Sequence, residues 1–122
     1  MGLLYIAHSI GPSFIASYLA DNDFQAKNLF LIAPVFGKIN APDYDYVNAS
    51  FFECSKLNML PNLTKKRICY ISRTDPYVPN ALSENFAKLI SAEKLYCDAG
   101  HFNTVAGYTT FEQLLKDVLS ND

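Results

Sequence analysis

Ser9, Asp75 and His101 are of the residue types that could serve as nucleophile, acid and base in one proton relay. Ser9 closes the run Leu3-Leu4-Tyr5-Ile6-Ala7-His8-Ser9-Ile10-Gly11-Pro12, in which apolar residues give way abruptly to a serine and a glycine. An amphipathic segment, Phe14 to Leu19, follows at once. That is the pattern of a nucleophile elbow: a strand, a sharp turn carrying the serine, then a helix. Such a turn holds the hydroxyl where a base and a substrate carbonyl can both reach it. Ala7 departs from the G-x-S-x-G form, which has glycine there, and alanine is the smallest substitute that keeps a Cβ. Taken alone, Ser-x-Gly is equally an ordinary strand and turn.

A serine nucleophile needs a base to take its proton and a carboxylate to orient that base. Asp75 lies in Arg73-Thr74-Asp75-Pro76-Tyr77-Val78-Pro79 and His101 in Asp98-Ala99-Gly100-His101-Phe102, each just after an apolar run. Loops after strand C-termini are where sites form in open α/β sheets. Asp75 could equally be a turn aspartate, a common role before proline. Asp98 competes as the acid, but its closeness to His101 suits it to supporting that loop. Of the two histidines, His8 adjoins the serine and points away from it, so a structural or hydrogen-bonding role is expected. His101 follows a glycine that permits a tight turn and is the base candidate. The three residues together, in the order Ser, Asp, His, carry the reading.

Four short apolar runs must position these residues: Leu3 to Ala7, Asn28 to Ala33, Arg67 to Ser72 and Lys94 to Cys97. Nearly continuous hydrophobicity predicts strands buried on both faces. Three helices alternate with them. The first spans Pro12 to Leu19, with proline where its missing N–H costs nothing. The second spans Ala81 to Ser91 with Asn80 as N-cap, and the third Thr110 to Leu119 with Thr109 and Glu112 at capping-box spacing. Alternation of this kind predicts a parallel sheet of about four strands with helices on both faces. Residues 34 to 66 form a long aromatic-rich connection without a clear strand, with a short helix expected around Ser50 to Leu57. Phe36, Tyr44, Tyr46, Phe51 and Phe52 could wall an apolar pocket above the serine or simply cover the sheet.

The 122 residues predict one domain, and 50% hydrophobic content permits a packed core. The net charge is −2, and no basic run exceeds Lys65-Lys66-Arg67, which argues against a nucleic-acid surface. No apolar stretch approaches the roughly 20 residues of a membrane span. The N-terminus lacks a basic region and a cleavage site, so it does not read as a secretory signal. Cys54, Cys69 and Cys97 are widely spaced and form no CxxC pair, so neither zinc nor a disulfide framework is expected. Reduced thiols fit a cytoplasmic setting, and the sequons at Asn48 and Asn62 then read as chance. No metal or organic cofactor is implied.

The chain resembles the compact serine hydrolases of the α/β-hydrolase superfamily, the group that includes the retinoblastoma-binding serine hydrolase. The resemblance rests on Ala7-His8-Ser9-Ile10-Gly11, Asp75-Pro76-Tyr77-Val78-Pro79 and Ala99-Gly100-His101-Phe102-Asn103. It runs over essentially the whole chain and covers the C-terminal part of the family's fold. It implies Ser9 as nucleophile, Asp75 as acid and His101 as base, with the Ile10 N–H as one oxyanion donor. A second donor comes, in that superfamily, from a loop before the nucleophile strand, and the residues 1–122 are expected to lack that N-terminal part. The function expected is hydrolysis of a small ester or amide. The alternative is a catalytically impaired remnant acting as a non-enzymatic interaction module. A flavodoxin-like binding domain is disfavoured, because no glycine-rich phosphate loop follows the first strand. The first strand can pair with Asn28 to Ala33 on one side only, so its other edge is expected to invite self-association or an N-terminal fragment.

Overall fold

The computed structural model describes residues 2–120. Four strands, β1 (Tyr5–His8), β2 (Ala26–Ile32), β3 (Thr64–Ser72) and β4 (Glu93–Cys97), form one parallel sheet in the order β1-β2-β3-β4. Between and after them come helices α1 (Gly11–Asn22), α2 (Pro42–Val47), α3 (Leu60–Leu63), α4 (Asn80–Leu89) and α5 (Glu112–Ser120). The predicted α/β layering is therefore the observed one. None of the described helices is long and apolar enough to cross a membrane.

The alternation of side chains along a strand explains the two cores. Leu29 and Leu31 of β2, with Cys69 and Ile71 of β3, face Ile15 and Leu19 of α1, Leu60 of α3 and Phe86 of α4. Phe30 and Ile32, with Ile68 and Tyr70, face the opposite way, where Phe102 and, from the α5 region, Phe111, Leu114 and Val118 pack. Both central strands thus read as continuous apolar runs because each face is covered. The outer strands differ from expectation. Ile6 of β1 is 52% exposed and Tyr96 of β4 is 41% exposed. An edge strand has less helix above it, so alternate positions meet solvent.

The element boundaries differ in physical detail. Asn80 is the first residue of α4, Pro79 precedes it at the cap, and no side chain caps that end. α5 begins at Glu112, three residues beyond Thr109, so the capping-box spacing does not mark its start. The 34–66 connection folds into α2, two 3₁₀ turns at Ala49–Phe52 and Leu57–Met59, and α3, and β3 begins at Thr64 rather than Arg67. Pro42 and Pro61 each stand at the start of a short helix, where proline's fixed φ is pre-organised.

Candidate active site

β1 ends at His8, and the chain turns sharply into α1 through Ser9. Ser9 has φ +65°, a left-handed conformation that few non-glycine residues adopt. Its peptide is held from both sides. The Ser9 N–H donates to the Ile32 carbonyl at 2.9 Å, and the Val35 N–H donates to the Ser9 carbonyl at 2.9 Å. The segment that grips it is itself pinned, since Ser13 Oγ donates to the Val35 carbonyl and Ser83 Oγ donates to that of Pro34 at 2.7 Å. Gly11 explains why Ala7 is tolerated in this elbow. A Cβ at position 11 would come within 3.3 Å of the Ala7 Cβ, so glycine at 11 leaves the space that alanine at 7 fills. The Ile10 N–H, at the N-cap of α1, meets no backbone acceptor among the described residues.

Asp75 lies in the loop after β3. One carboxylate oxygen accepts the Tyr77 and Val78 N–H groups at 2.9 and 3.0 Å. The other accepts His101 Nδ1–H at 2.8 Å, and the Asp75 side chain is only 3% exposed. Burial works against its ionisation. The His101 hydrogen bond, the two backbone donors and the charge of His101 outweigh that penalty and hold the carboxyl below its ordinary pKa.

His101 lies in the loop after β4. Its Nε2 is 3.0 Å from Ser9 Oγ. With Nδ1–H committed to the carboxylate, Nε2 carries the lone pair that accepts a hydrogen bond from the Ser9 hydroxyl. Tyr77 meets the imidazole edge-on at 5.4 Å between centroids, and His8 lies 4.7 Å away on a tilted plane. His8 Nε2–H donates to the His101 carbonyl at 2.7 Å, which is the hydrogen-bonding role expected of it. Gly100 at φ +54° makes the approach to His101 feasible, because a Cβ there would strike the Ala106 Cβ at 2.7 Å.

Two hydroxyls that the sequence did not single out bind the Asp75 and His101 loops together. Ser72 Oγ accepts the Ala99 N–H at 2.9 Å, and Thr74 Oγ1 accepts the Gly100 N–H at 3.1 Å. Arg73 adds a backbone bond from its N–H to the Cys97 carbonyl at 2.8 Å. Asp98 does not reach the histidine ring through any hydrogen bond. It pairs instead with Arg73 at 3.0 Å, on the solvent side of the loop.

Above Ser9 and His101 opens a cavity of about 290 Å³ lined by Val35, Ile39, Ala41, Tyr44, Tyr77 and Val78. Of the five aromatics expected to wall it, only Tyr44 does. Phe36 packs on Phe86 and Phe52, Phe51 packs on Phe14, and Tyr46 is 85% exposed. The wall is organised by buried Asp45, whose carboxylate accepts the Ile39 N–H at 2.9 Å and the Ala41 N–H at 3.2 Å. A hydroxyl, a base aligned on it, a carboxylate aligned on the base and a small apolar cavity are the parts needed for acyl transfer.

A family model described as Serine hydrolase matches residues 2–120. No curated protein sequence matches the chain. Among solved structures, the ydeN gene product from B. subtilis superposes with a TM-score of 0.85 at 21% identity, over 97% of this chain and 64% of that one. A protein from Pectobacterium atrosepticum described as YdeN-like gives 0.65 at 22% identity, over 94% of this chain and 56% of that one. At these identities the likeness is one of fold, and this chain spans less than two thirds of either structure's length.

Proposed function

The chain belongs to the serine hydrolase family, and we propose that it cleaves a small ester or amide with Ser9, His101 and Asp75 as its catalytic triad. The observation that carries this reading is the unbroken hydrogen-bonded series from Ser9 Oγ through His101 to Asp75, at 3.0 and 2.8 Å. Ser9 Oγ attacks the carbonyl carbon while its proton passes to His101 Nε2. The carbonyl π electrons move onto oxygen, and the Ile10 N–H is free to stabilise that charge. Collapse of the intermediate expels the alcohol or amine, which takes the proton from His101. Water repeats the sequence on the acyl-enzyme and restores Ser9. Asp75 holds the imidazole in the required tautomer and stabilises its charged form. The small apolar cavity favours a compact acyl group. Three unpaired thiols fit a cytoplasmic setting.

A fluorophosphonate probe tests the proposal. It should label the wild-type chain at Ser9, Ser9→Ala should abolish labelling, and His101→Ala should suppress it nearly as far, because the set works as a unit. Labelling that survives Ser9→Ala would move the chemistry elsewhere. Absence of labelling in folded wild type would favour the non-enzymatic interaction module.

A further inference from the structure

The Tyr44 hydroxyl is buried against the cavity above Ser9, yet it has no hydrogen-bond partner. Buried phenols normally find one, and an orphaned polar atom at a site calls for an explanation. Tyr44 sits on α2, whose entry is fixed by Asp45 through the Ile39 and Ala41 N–H groups. The position of its ring is therefore set by the loop rather than by any hydrogen bond of its hydroxyl. Ser9 is its polar neighbour. Burial raises the Tyr44 pKa, the Ser9 side chain acts to lower it, and Asp45 raises it further. Tyr44 and Ser9 line the same cavity, and the phenol oxygen has no partner there with full hydrogen-bond geometry.

From this juxtaposition we propose that Tyr44 is a catalytic residue whose O–H donates to the oxyanion formed when Ser9 attacks, acting beside the Ile10 N–H. The inference rests on Ser9 being the nucleophile. When Ser9 Oγ bonds to the carbonyl carbon, the negative oxygen forms one bonded atom away from Oγ. A donor that neighbours Oγ without binding it is placed for that oxygen rather than for the resting serine. An oxyanion donor must lie about 3 Å from where the charge appears. The phenol proton is committed to no other acceptor among the described residues. It stays on Tyr44 throughout, because the high pKa of a buried phenol makes it a donor and not an acid at neutral pH. No bond to Tyr44 forms or breaks. The interaction grows with charge on the carbonyl oxygen, so it lowers the barrier rather than tightening the ground state.

The test is Tyr44→Phe, which removes one oxygen and keeps the ring. Hydrolysis of p-nitrophenyl butyrate should lose about 10²-fold in kcat with little change in KM, and fluorophosphonate labelling of Ser9 should slow in parallel. The matching thionoester should show a smaller loss, since sulfur accepts hydrogen bonds weakly. An unchanged kcat with Ser9 still labelled would overturn the role of Tyr44 and leave the triad standing. An equal loss on ester and thionoester would mark a packing effect and also overturn it. Wild type that is not labelled at Ser9 would overturn the triad, and the role of Tyr44 with it.

Discussion

At the residue scale, two aspartates near His101 separate cleanly by environment. Asp75 is sealed under the imidazole with two backbone donors, whereas Asp98 and Arg73 are more than half exposed. Asp75→Asn should lower turnover by about 10⁴, the loss seen when an orienting carboxylate becomes an amide. Asp98→Asn should cost little, since an exposed ion pair is worth about 0–1 kcal/mol. Parallel ester assays of the two variants check this, and a larger loss at Asp98 would reverse the assignment. The depressed Asp75 pKa also predicts a pH signature. Ionised Asp75 favours the folded chain. Its contribution is complete above the unfolded carboxylate value of about 3.9 and is lost as pH falls through the lower folded value. Denaturant unfolding should therefore show wild type and Asp75→Asn converging in stability below about pH 4. A gap that stays constant down to pH 2 would contradict the linkage. Ser9, Asp75 and His101 were legible in the sequence because each follows an apolar run and carries its own turn chemistry. Tyr44 was legible only as one of five aromatics that could wall a pocket, and Asp45 was not legible at all. Their importance lies in which residues α2 brings opposite them, and no local pattern encodes that.

At the element scale, the two loops that carry Asp75 and His101 are tied into one piece. Ser72 ends β3 and Thr74 lies in the loop after it, and both take their N–H partners from the loop after β4. Ser72 is 2% exposed, so Ser72→Ala leaves the Ala99 N–H unpaired, at a cost of about 1–3 kcal/mol. The variant should unfold at lower denaturant. Its kcat should also fall, because the His101 loop loses one of its ties to the Asp75 loop. A stability loss with full activity would show that the ring is positioned without the Ser72 bond. The strands were readable because β2 and β3 are apolar on both faces. The 34–66 connection was harder to read, since its helices are four to six residues long, too short for a periodic stripe. Prolines start them; Leu60 buries α3 in the core, whereas the Asp45 carboxylate holds α2 through the Ile39 and Ala41 N–H groups.

At the scale of the whole molecule, β1 is an edge of the sheet, and its outer side is unpaired among the described residues. Leu3, just before β1, and Ile6 within it expose 68% and 52% of their surface. An apolar open edge is a template for another strand. Light scattering should show concentration-dependent association that Ile6→Lys reduces, and a monomer indifferent to that substitution would show the edge to be inert. The other outer strand, β4, lies three strand spacings from β1, about 14 Å. Ser9 rises from the first and His101 from the last, yet they meet at 3.0 Å because the loop after β4 folds back across the strand ends. Their contact therefore measures the width and twist of the entire sheet. Chemical reactivity at Ser9 becomes a gauge of the global fold, and it should disappear at lower denaturant than the helical signal, as soon as either margin of the sheet begins to fray.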